Sequence, residues 1–238
     1  MASSDGRTLD DVYNEFGELA SFKEIFYDWM GLNKWLFLKI NHIRADFYDQ
    51  LMLWVTELGN RHHFPYAMAL LVVFVLLGGL IKKMRKTSSV RAHLSRWAGV
   101  LLVLVMGFGA NAAVIYTIKD RAAMPRPYVA LAANPLLGEP QVEVYQLEKR
   151  PAEDGYRSFP SGHVAMITLW VLGLWPVLSD GMRKFGLFLI FAVAWSRLSL
   201  GVHFPADALW SFVISGGMVL GIRAVVYSLL HKFLRIAS

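Results

Sequence analysis

The chain reads Ser196-Arg197-Leu198-Ser199-Leu200-Gly201-Val202-His203-Phe204-Pro205-Ala206-Asp207 between two long apolar segments. This stretch places one guanidinium, one imidazole and one carboxylate within twelve residues. Charged groups are costly where a helix meets a membrane, and they are rare there unless they have a function. The stretch therefore predicts an embedded helical fold with a functional site at the ends of its helices.

The composition of the whole chain indicates a polytopic membrane protein. Of its 238 residues, 55% are hydrophobic and 18% are charged, whereas soluble domains are usually about 45–50% apolar and about 25% charged. The absence of cysteine excludes disulfides, a thiolate nucleophile and cysteine metal sites. The N-terminus is polar and acidic, so we expect no cleavable signal peptide.

Apolar segments predict an all-α integral membrane protein with five to six transmembrane helices. Five of these segments are clear, and they are 64–81, 97–118, 164–178, 185–196 and 208–230. We expect short loops and no second globular domain.

The first part of the chain is more polar than the five clear segments. Residues 25–43 carry an apolar stripe at helical spacing that charged residues interrupt, so we expect an amphipathic helix in the membrane interface, anchored by Trp29 and Trp35. A weak first span is the alternative, and a second amphipathic helix is expected to end near Gly59. We therefore divide the chain into 1–63, a polar tail with amphipathic interfacial helices, and 64–238, the transmembrane core.

Loop charges predict the orientation of the core. Segment 82–96 contains six Lys or Arg residues and no acid, so it is expected in the cytoplasm. Loop 119–162 contains six basic and six acidic residues, which favours the outer face, together with the stretch 197–207. The net charge of +6 thus reflects orientation in a lipid bilayer, and we expect no nucleic-acid partner.

Three motifs at span ends combine groups that suit an oxyanion. Arginine presents a planar fork to two phosphate oxygens, and the start of a helix attracts an anion. A carboxylate on one imidazole nitrogen fixes the tautomer and leaves the other nitrogen free to attack. The motifs are Lys119-x6-Arg126-Pro127, Pro160-Ser161-Gly162-His163 and Ser196-Arg197-x3-Gly201-x-His203-x3-Asp207.

Together these motifs resemble the type-2 phosphatidic acid phosphatase superfamily, which includes membrane lipid phosphatases and, more distantly, vanadium haloperoxidases. The resemblance implies a helical core over about residues 45–230, and it explains nothing in residues 1–44. It implies that His203 is the nucleophile that forms a phosphohistidine, that Asp207 orients it, and that His163 protonates the leaving oxygen. It also implies catalysis without a metal or cofactor. The phosphate-binding residues that it implies are Lys119, Arg126, Ser161, Gly162 and Arg197.

We therefore expect a phosphatase that acts on the phosphomonoester or diphosphate of a lipid. The candidate substrates are undecaprenyl or other isoprenyl diphosphates, phosphatidic acid and phosphatidylglycerophosphate. The expected location is a bacterial inner membrane, with the active site facing the periplasm. Two alternatives stay open, namely a lipid phosphotransferase with the same site and a catalytically silent membrane protein that binds or transports lipid.

Overall fold

The computed structural model describes residues 24–86, 90–132 and 142–236. The predicted polar tail before residue 24 and residues 133–141 of the predicted outer loop lie outside the described residues. Within the described ranges the chain forms helices, turns and extended loop segments, and no β-strand. The prediction of an all-α fold is therefore confirmed.

Seven helices of ten or more residues in the described chain build the fold. They are α1 (Leu32–Asn41), α2 (Asp46–Glu57), α3 (Phe64–Arg85), α4 (Val90–Ala122), α5 (Gly162–Leu174), α6 (Asp180–Ser199) and α7 (Pro205–Ile236). Among the described residues, α3, α4 and α7 are long and apolar enough to cross a membrane, and α5 belongs to a shorter apolar helix that reaches Val177. The class of integral membrane protein is thus confirmed, and the number of spans stays a prediction.

The helices extend beyond the apolar segments into charged sequence. Helix α3 continues through Lys82 and Lys83 to Arg85, where cations interact favourably with the helix C-terminus. Helix α6 starts at Asp180 because the hydroxyl of Ser179 accepts a hydrogen bond from the Met182 backbone N–H at 3.4 Å. A prediction from hydropathy alone therefore makes these helices too short at such ends.

The N-terminal segment differs from the single amphipathic helix expected over residues 25–43. A π-helical turn at Glu24–Asp28 is separated from α1 by Trp29, Met30 and Gly31, whose φ angles are 52°, 54° and 87°. The left-handed backbone of these three residues interrupts the helix. The expectation of one continuous helix was therefore wrong.

Buried amides, as well as apolar side chains such as Ile40, attach α1 to the core. Asn33 and Asn41 are 2% and 0% exposed. The side-chain oxygen of Asn33 accepts a hydrogen bond from the Ala206 N–H at 2.9 Å, and Nδ2 of Asn41 donates to the Ser199 carbonyl at 3.0 Å. Because both amides are satisfied by core backbone, their burial fixes the position of α1 against α6 and α7.

Helices α4, α5 and α7 form the centre of the bundle. Leu104, Leu169 and Val219, one from each helix, are fully buried and pack in one cluster. A Cβ at Gly107 would lie 2.5 Å from the Leu169 side chain, so the missing side chain lets α4 approach α5 closely. Helix α6 packs on α5, and α1 and α2 pack on α6.

Helix α3 packs on α4 and leaves much of its surface uncovered. Its exposed apolar side chains include Leu70, Phe74 and Leu77 at 72%, 64% and 53%. An apolar helix surface of this kind suits contact with lipid chains. The bundle thus places an apolar outer surface around a centre whose polar groups gather at one end.

Candidate active site

The three sequence motifs come together at one end of the bundle. Lys119 lies in the last turn of α4, Ser161 is the N-cap of α5, and Arg197 lies in the last turn of α6. His203 lies in the loop between α6 and α7, and Asp207 lies in the first turn of α7. Alternating helix directions therefore bring residues that are distant in the sequence to one place.

His203 and Asp207 form a buried imidazole–carboxylate pair. Nδ1 of His203 lies 3.3 Å from Oδ2 of Asp207, and the two residues are 2% and 0% exposed. On the other side of the ring, Nε2 lies 3.4 Å from Nη1 of Arg126, which is a donor. These partners favour the tautomer with the proton on Nδ1, so Nε2 carries the lone pair.

Three further groups hold the Asp207 carboxylate. Oδ2 also accepts hydrogen bonds from the Ser158 hydroxyl at 2.5 Å and from the Phe204 N–H at 2.8 Å. Oδ1 accepts a hydrogen bond from the Tyr27 hydroxyl at 2.7 Å. Since a buried carboxylate needs compensating donors, this set fixes the side chain in one orientation.

The surroundings keep His203 neutral. Burial disfavours the imidazolium, and the nearby charges of Arg126 and Lys119 repel it, so the pKa of His203 lies well below its usual value. A neutral imidazole with an unprotonated Nε2 is the form that acts as a nucleophile.

Arg126 and Lys119 are held beside this imidazole by backbone carbonyls. Nε of Arg126 donates to the Asp154 carbonyl at 2.9 Å, and Nη1 donates to the Val202 carbonyl at 2.7 Å. Nζ of Lys119 donates to the Arg157 carbonyl at 2.8 Å. Because these acceptors are neutral carbonyls, none of these contacts places a carboxylate on Arg126 or Lys119.

Arg197 and Ser161 carry polar atoms that the described chain does not satisfy. Nη1 of Arg197 donates to Thr56 Oγ1 at 2.7 Å and to Glu148 Oε2 at 2.6 Å. Its Nε and Nη2, and Oγ of Ser161, are buried without a hydrogen-bond partner among the described residues. Ser161 is the N-cap of α5, yet its side chain makes no capping bond. Orphaned buried donors are costly and indicate a site that a ligand completes.

A cavity of about 800 Å³ opens beside these groups. Its lining includes Lys119, Arg126, Gly162, His163 and His203. It also includes apolar side chains, among them Phe108, Ile115 and Met166. Arg197, Ser161 and Asp207 are fully buried behind the wall. The described residues include no group of three or more His, Asp or Glu side chains that would hold a metal ion.

Glu148 and Arg150 are site residues that sequence reasoning missed. Both line the cavity, and they form an ion pair with each other while Glu148 also binds Arg197. Nε of Arg150 is a further buried donor without a partner in the described chain. Both residues lie in a charged loop without any motif, so no local pattern distinguishes them.

Tyr27, Thr56 and Ser158 were missed for a different reason. Each contacts a motif residue across a large separation in sequence, 180 residues for Tyr27 and Asp207, 141 for Thr56 and Arg197, and 49 for Ser158 and Asp207. The only available signal was weak, since Thr56 is a polar residue inside an amphipathic helix. Such contacts depend on how helices pack and not on local spacing.

Gly201 shapes the loop that carries His203. Its φ is +77°, in the left-handed region that favours glycine, and a Cβ there would collide with the Tyr145 carbonyl. The loop 142–151 therefore packs directly against the turn that follows α6. This close contact positions both Glu148 and His203 around the cavity.

The sequence and the fold of this chain are similar to those of known proteins. A family model described as the PAP2 superfamily matches residues 98–230. The crystal structure of Aquifex aeolicus LpxE has a TM-score of 0.61 and 20% identity, and the match covers 80% of this chain and 94% of that one. The crystal structure of a transmembrane PAP2-type phosphatidylglycerolphosphate phosphatase from Bacillus subtilis has a TM-score of 0.61 and 19% identity, over 91% and 94% of the two chains. No curated protein matches the sequence.

Proposed function

This chain belongs to the PAP2 superfamily, and from that premise we propose that it is a membrane lipid phosphatase that works through a phosphohistidine at His203. The resemblance inferred from the three motifs is confirmed by the family match, and with it the prediction of a membrane phosphatase. The covalent intermediate, the role of each residue and the lipid are our proposals.

The observation that carries the proposal is the buried pair His203–Asp207 beside a cavity with two kinds of wall. Arg126 lies 3.4 Å from Nε2 of His203, and Lys119, the start of α5 and several apolar side chains line the same cavity. The polar part suits a phosphoryl group and the apolar part suits the adjoining lipid. A soluble phosphoester would not need the apolar wall.

The proposed reaction consists of two in-line displacements at phosphorus. In the first, Nε2 of His203 forms a bond to phosphorus while the bond to the leaving oxygen breaks, and His163 gives its proton to that oxygen. In the second, water attacks phosphorus, His163 takes a proton from the water, and the P–N bond breaks. Inorganic phosphate and free His203 result, so atoms and charges balance.

The remaining site residues stabilise the charge that spreads over the phosphoryl oxygens. Lys119 and Arg126 reach the cavity directly, and the Gly162 N–H lies in the first turn of α5. Arg197 and Ser161 hold their unpartnered donors just behind the wall. Such preorganised donors lower the barrier because they need no reorganisation during the reaction.

Glu148 gives this site a further property. Its carboxylate lies on the cavity wall and occupies Nη1 of Arg197. A phosphoryl group near Arg197 would compete with this carboxylate, so we propose that the loop carrying Glu148 adjusts when substrate binds. We also propose that the protein lies in a bacterial inner membrane, and the loop charges support a cavity at its periplasmic face.

The test is phosphate release by purified protein in detergent and EDTA. The lipid panel contains undecaprenyl diphosphate, phosphatidic acid and phosphatidylglycerophosphate, the last because the similar Bacillus subtilis protein is a phosphatidylglycerolphosphate phosphatase. Release from at least one lipid, and ³²P-labelled protein that is lost in His203→Asn, is the expected result. His231→Asn, an exposed histidine on α7, is the matched control.

Two results would contradict the proposal. A labelled second lipid without free phosphate would indicate a phosphotransferase. Unchanged turnover and labelling in His203→Asn would exclude His203 as the nucleophile.

A further inference from the structure

The segment between α2 and α3 lies directly against the residue that is proposed to protonate the leaving group. A Cβ at Gly59 would be 2.6 Å from the His163 carbonyl oxygen, so this backbone touches the start of α5. The next residues are fixed, because Asn60 accepts a hydrogen bond from the His62 N–H at 3.0 Å and donates to Glu57 at 2.9 Å. Arg61, which lies in this fixed turn, lines the cavity.

Arg61 is part of a cluster around Tyr116. Its guanidinium lies 4.9 Å from the centre of the Tyr116 ring, and the guanidinium of Arg157 lies 5.8 Å from the same ring. Tyr116 and Lys119 are three residues apart on α4, so they lie on the same face, one turn from each other. The cluster therefore extends the positive end of the cavity by about one helical turn.

Carboxylates offset the charge of Arg157, whereas no described carboxylate forms an ion pair with Arg61. Arg157 pairs with Asp120 at 3.0 Å and lies 3.9 Å from Asp154. Arg61 contacts the tyrosine ring and makes no ion pair with any described residue. A cation held at a cavity by an aromatic ring keeps its hydrogen-bond donors available to an anionic ligand.

The geometry of displacement decides which part of the substrate meets this cluster. In an in-line reaction the leaving oxygen departs on the side of phosphorus opposite to the nucleophile. His203 is the proposed nucleophile and His163 the proposed proton donor, so the leaving oxygen is expected toward His163, whose backbone lies against Gly59. The next atoms of the leaving group would then lie beside residues 59–62, and Arg61 would face them rather than the transferred phosphoryl group.

Resting on the proposed function, we infer that Arg61, with Tyr116 and Arg157, forms a subsite for a second anionic phosphoryl group carried by the leaving group. Two kinds of lipid have this chemistry. A lipid diphosphate leaves as a lipid monophosphate, and a lipid with a phosphodiester in its headgroup, such as phosphatidylglycerophosphate, leaves as an anionic phosphodiester. Phosphatidic acid leaves as neutral diacylglycerol and does not use the subsite.

The test compares Arg61→Gln with the wild-type protein on undecaprenyl diphosphate, phosphatidylglycerophosphate and phosphatidic acid. One charge-assisted contact at a partly exposed site corresponds to a loss of about ten-fold in kcat/KM. We expect this loss for one or both lipids with a second anionic group, and a change of less than about two-fold for phosphatidic acid. Arg183→Gln is the matched control. The guanidinium of Arg183 also lies over an aromatic ring, 5.5 Å from the centre of the Trp175 ring, but Arg183 belongs to a different turn from Arg61.

The pattern of losses separates the possibilities. A loss for the diphosphate alone, or for phosphatidylglycerophosphate alone, supports the subsite and identifies the source of the second phosphoryl group. Equal losses on all three lipids, or no loss on any, would overturn the subsite while the phosphatase assignment stands. If the wild-type protein releases phosphate from none of them, the proposed function itself fails, and this inference fails with it.

Discussion

Tyr27 provides the sharpest test of how the site is held, because a single atom connects it to the proposed catalytic pair. Its hydroxyl donates to Oδ1 of Asp207 at 2.7 Å, whereas the other contacts of this carboxylate are on Oδ2. The Tyr27 ring packs against Phe159 and Phe204 at centroid distances of 5.8 and 6.5 Å. Tyr27→Phe therefore removes one hydrogen bond and keeps the aromatic packing.

The size of the effect follows from this geometry. A hydrogen bond to a charged group contributes about 1.5–3 kcal/mol. Because the contacts on Oδ2 remain, we take the lower end, about 1.5 kcal/mol of the barrier, which corresponds to a loss of about ten-fold in kcat. KM should change by less than about two-fold, since Tyr27 contacts Asp207 and not the described cavity wall.

The effect should not depend on pH between about 5.5 and 8.5. Burial and the neighbouring Asp207 both raise the pKa of Tyr27, so its hydroxyl stays protonated and remains a donor throughout this range. The assay measures kcat and KM together with the single-turnover rate of ³²P transfer to the protein, each per mole of folded protein.

Tyr48→Phe is the matched control for Tyr27→Phe. The Tyr48 hydroxyl accepts a hydrogen bond from Trp195 at 2.8 Å, away from the site, so this variant should keep its kcat. If Tyr27→Phe turns over at the wild-type rate, or if both variants lose kcat equally, Tyr27 does not position the carboxylate.

Three further predictions test the frame of the site. Gly201→Ala should lower the free energy of unfolding by about 1–3 kcal/mol and reduce kcat, because an L-residue is strained at φ +77°; Gly217→Ala, with open space around its Cβ, should be neutral in a detergent melting assay. The free energy of unfolding should fall as pH decreases below about 6.5, by up to about 1.4 kcal/mol per pH unit, because burial lowers the pKa of His203 and only the unfolded chain binds the proton. If the free energy of unfolding of His203→Asn depends on pH as steeply as that of the wild type, this prediction is contradicted. Thr56→Val should cost about 1–3 kcal/mol of stability, because it removes a 2.7 Å hydrogen bond from buried Arg197, and an unchanged melting temperature would show that this contact is not needed.

The sequence predicted those parts of the site whose geometry is local. Asp207 lies four residues after His203, so a loop followed by a helix start brings the two side chains together. Ser161 and Gly162 follow a proline and precede an apolar run, which places them at the start of α5. Within one motif, spacing along the chain determines spacing in the structure.

The sequence did not predict contacts that depend on helix packing. Trp29 and Met30 adopt a positive φ although neither is glycine, so Gly31 alone among the three residues of this break gave a local signal. The apolar stripe in this region suggested an interfacial face, yet the buried side chains include Asn33 and Asn41, whose amides bond to the core backbone. A hydrophobic pattern cannot reveal a face that is attached through polar groups.

These contacts all join residues of the N-terminal segment to the motif residues, which bears on the proposed preference for one lipid over another. The family match begins at residue 98, yet the residues before it meet each of the last two motifs. Tyr27 bonds to Asp207, Thr56 bonds to Arg197, and Gly59 touches the backbone of His163. In the proposed reaction the motif residues supply the chemistry of phosphoryl transfer, whereas the N-terminal residues set the position of the Asp207 carboxylate and form the wall beside the leaving group. If the proposed mechanism holds, changes in residues 24–63 should therefore alter substrate preference and rate while the proposed His203 intermediate still forms.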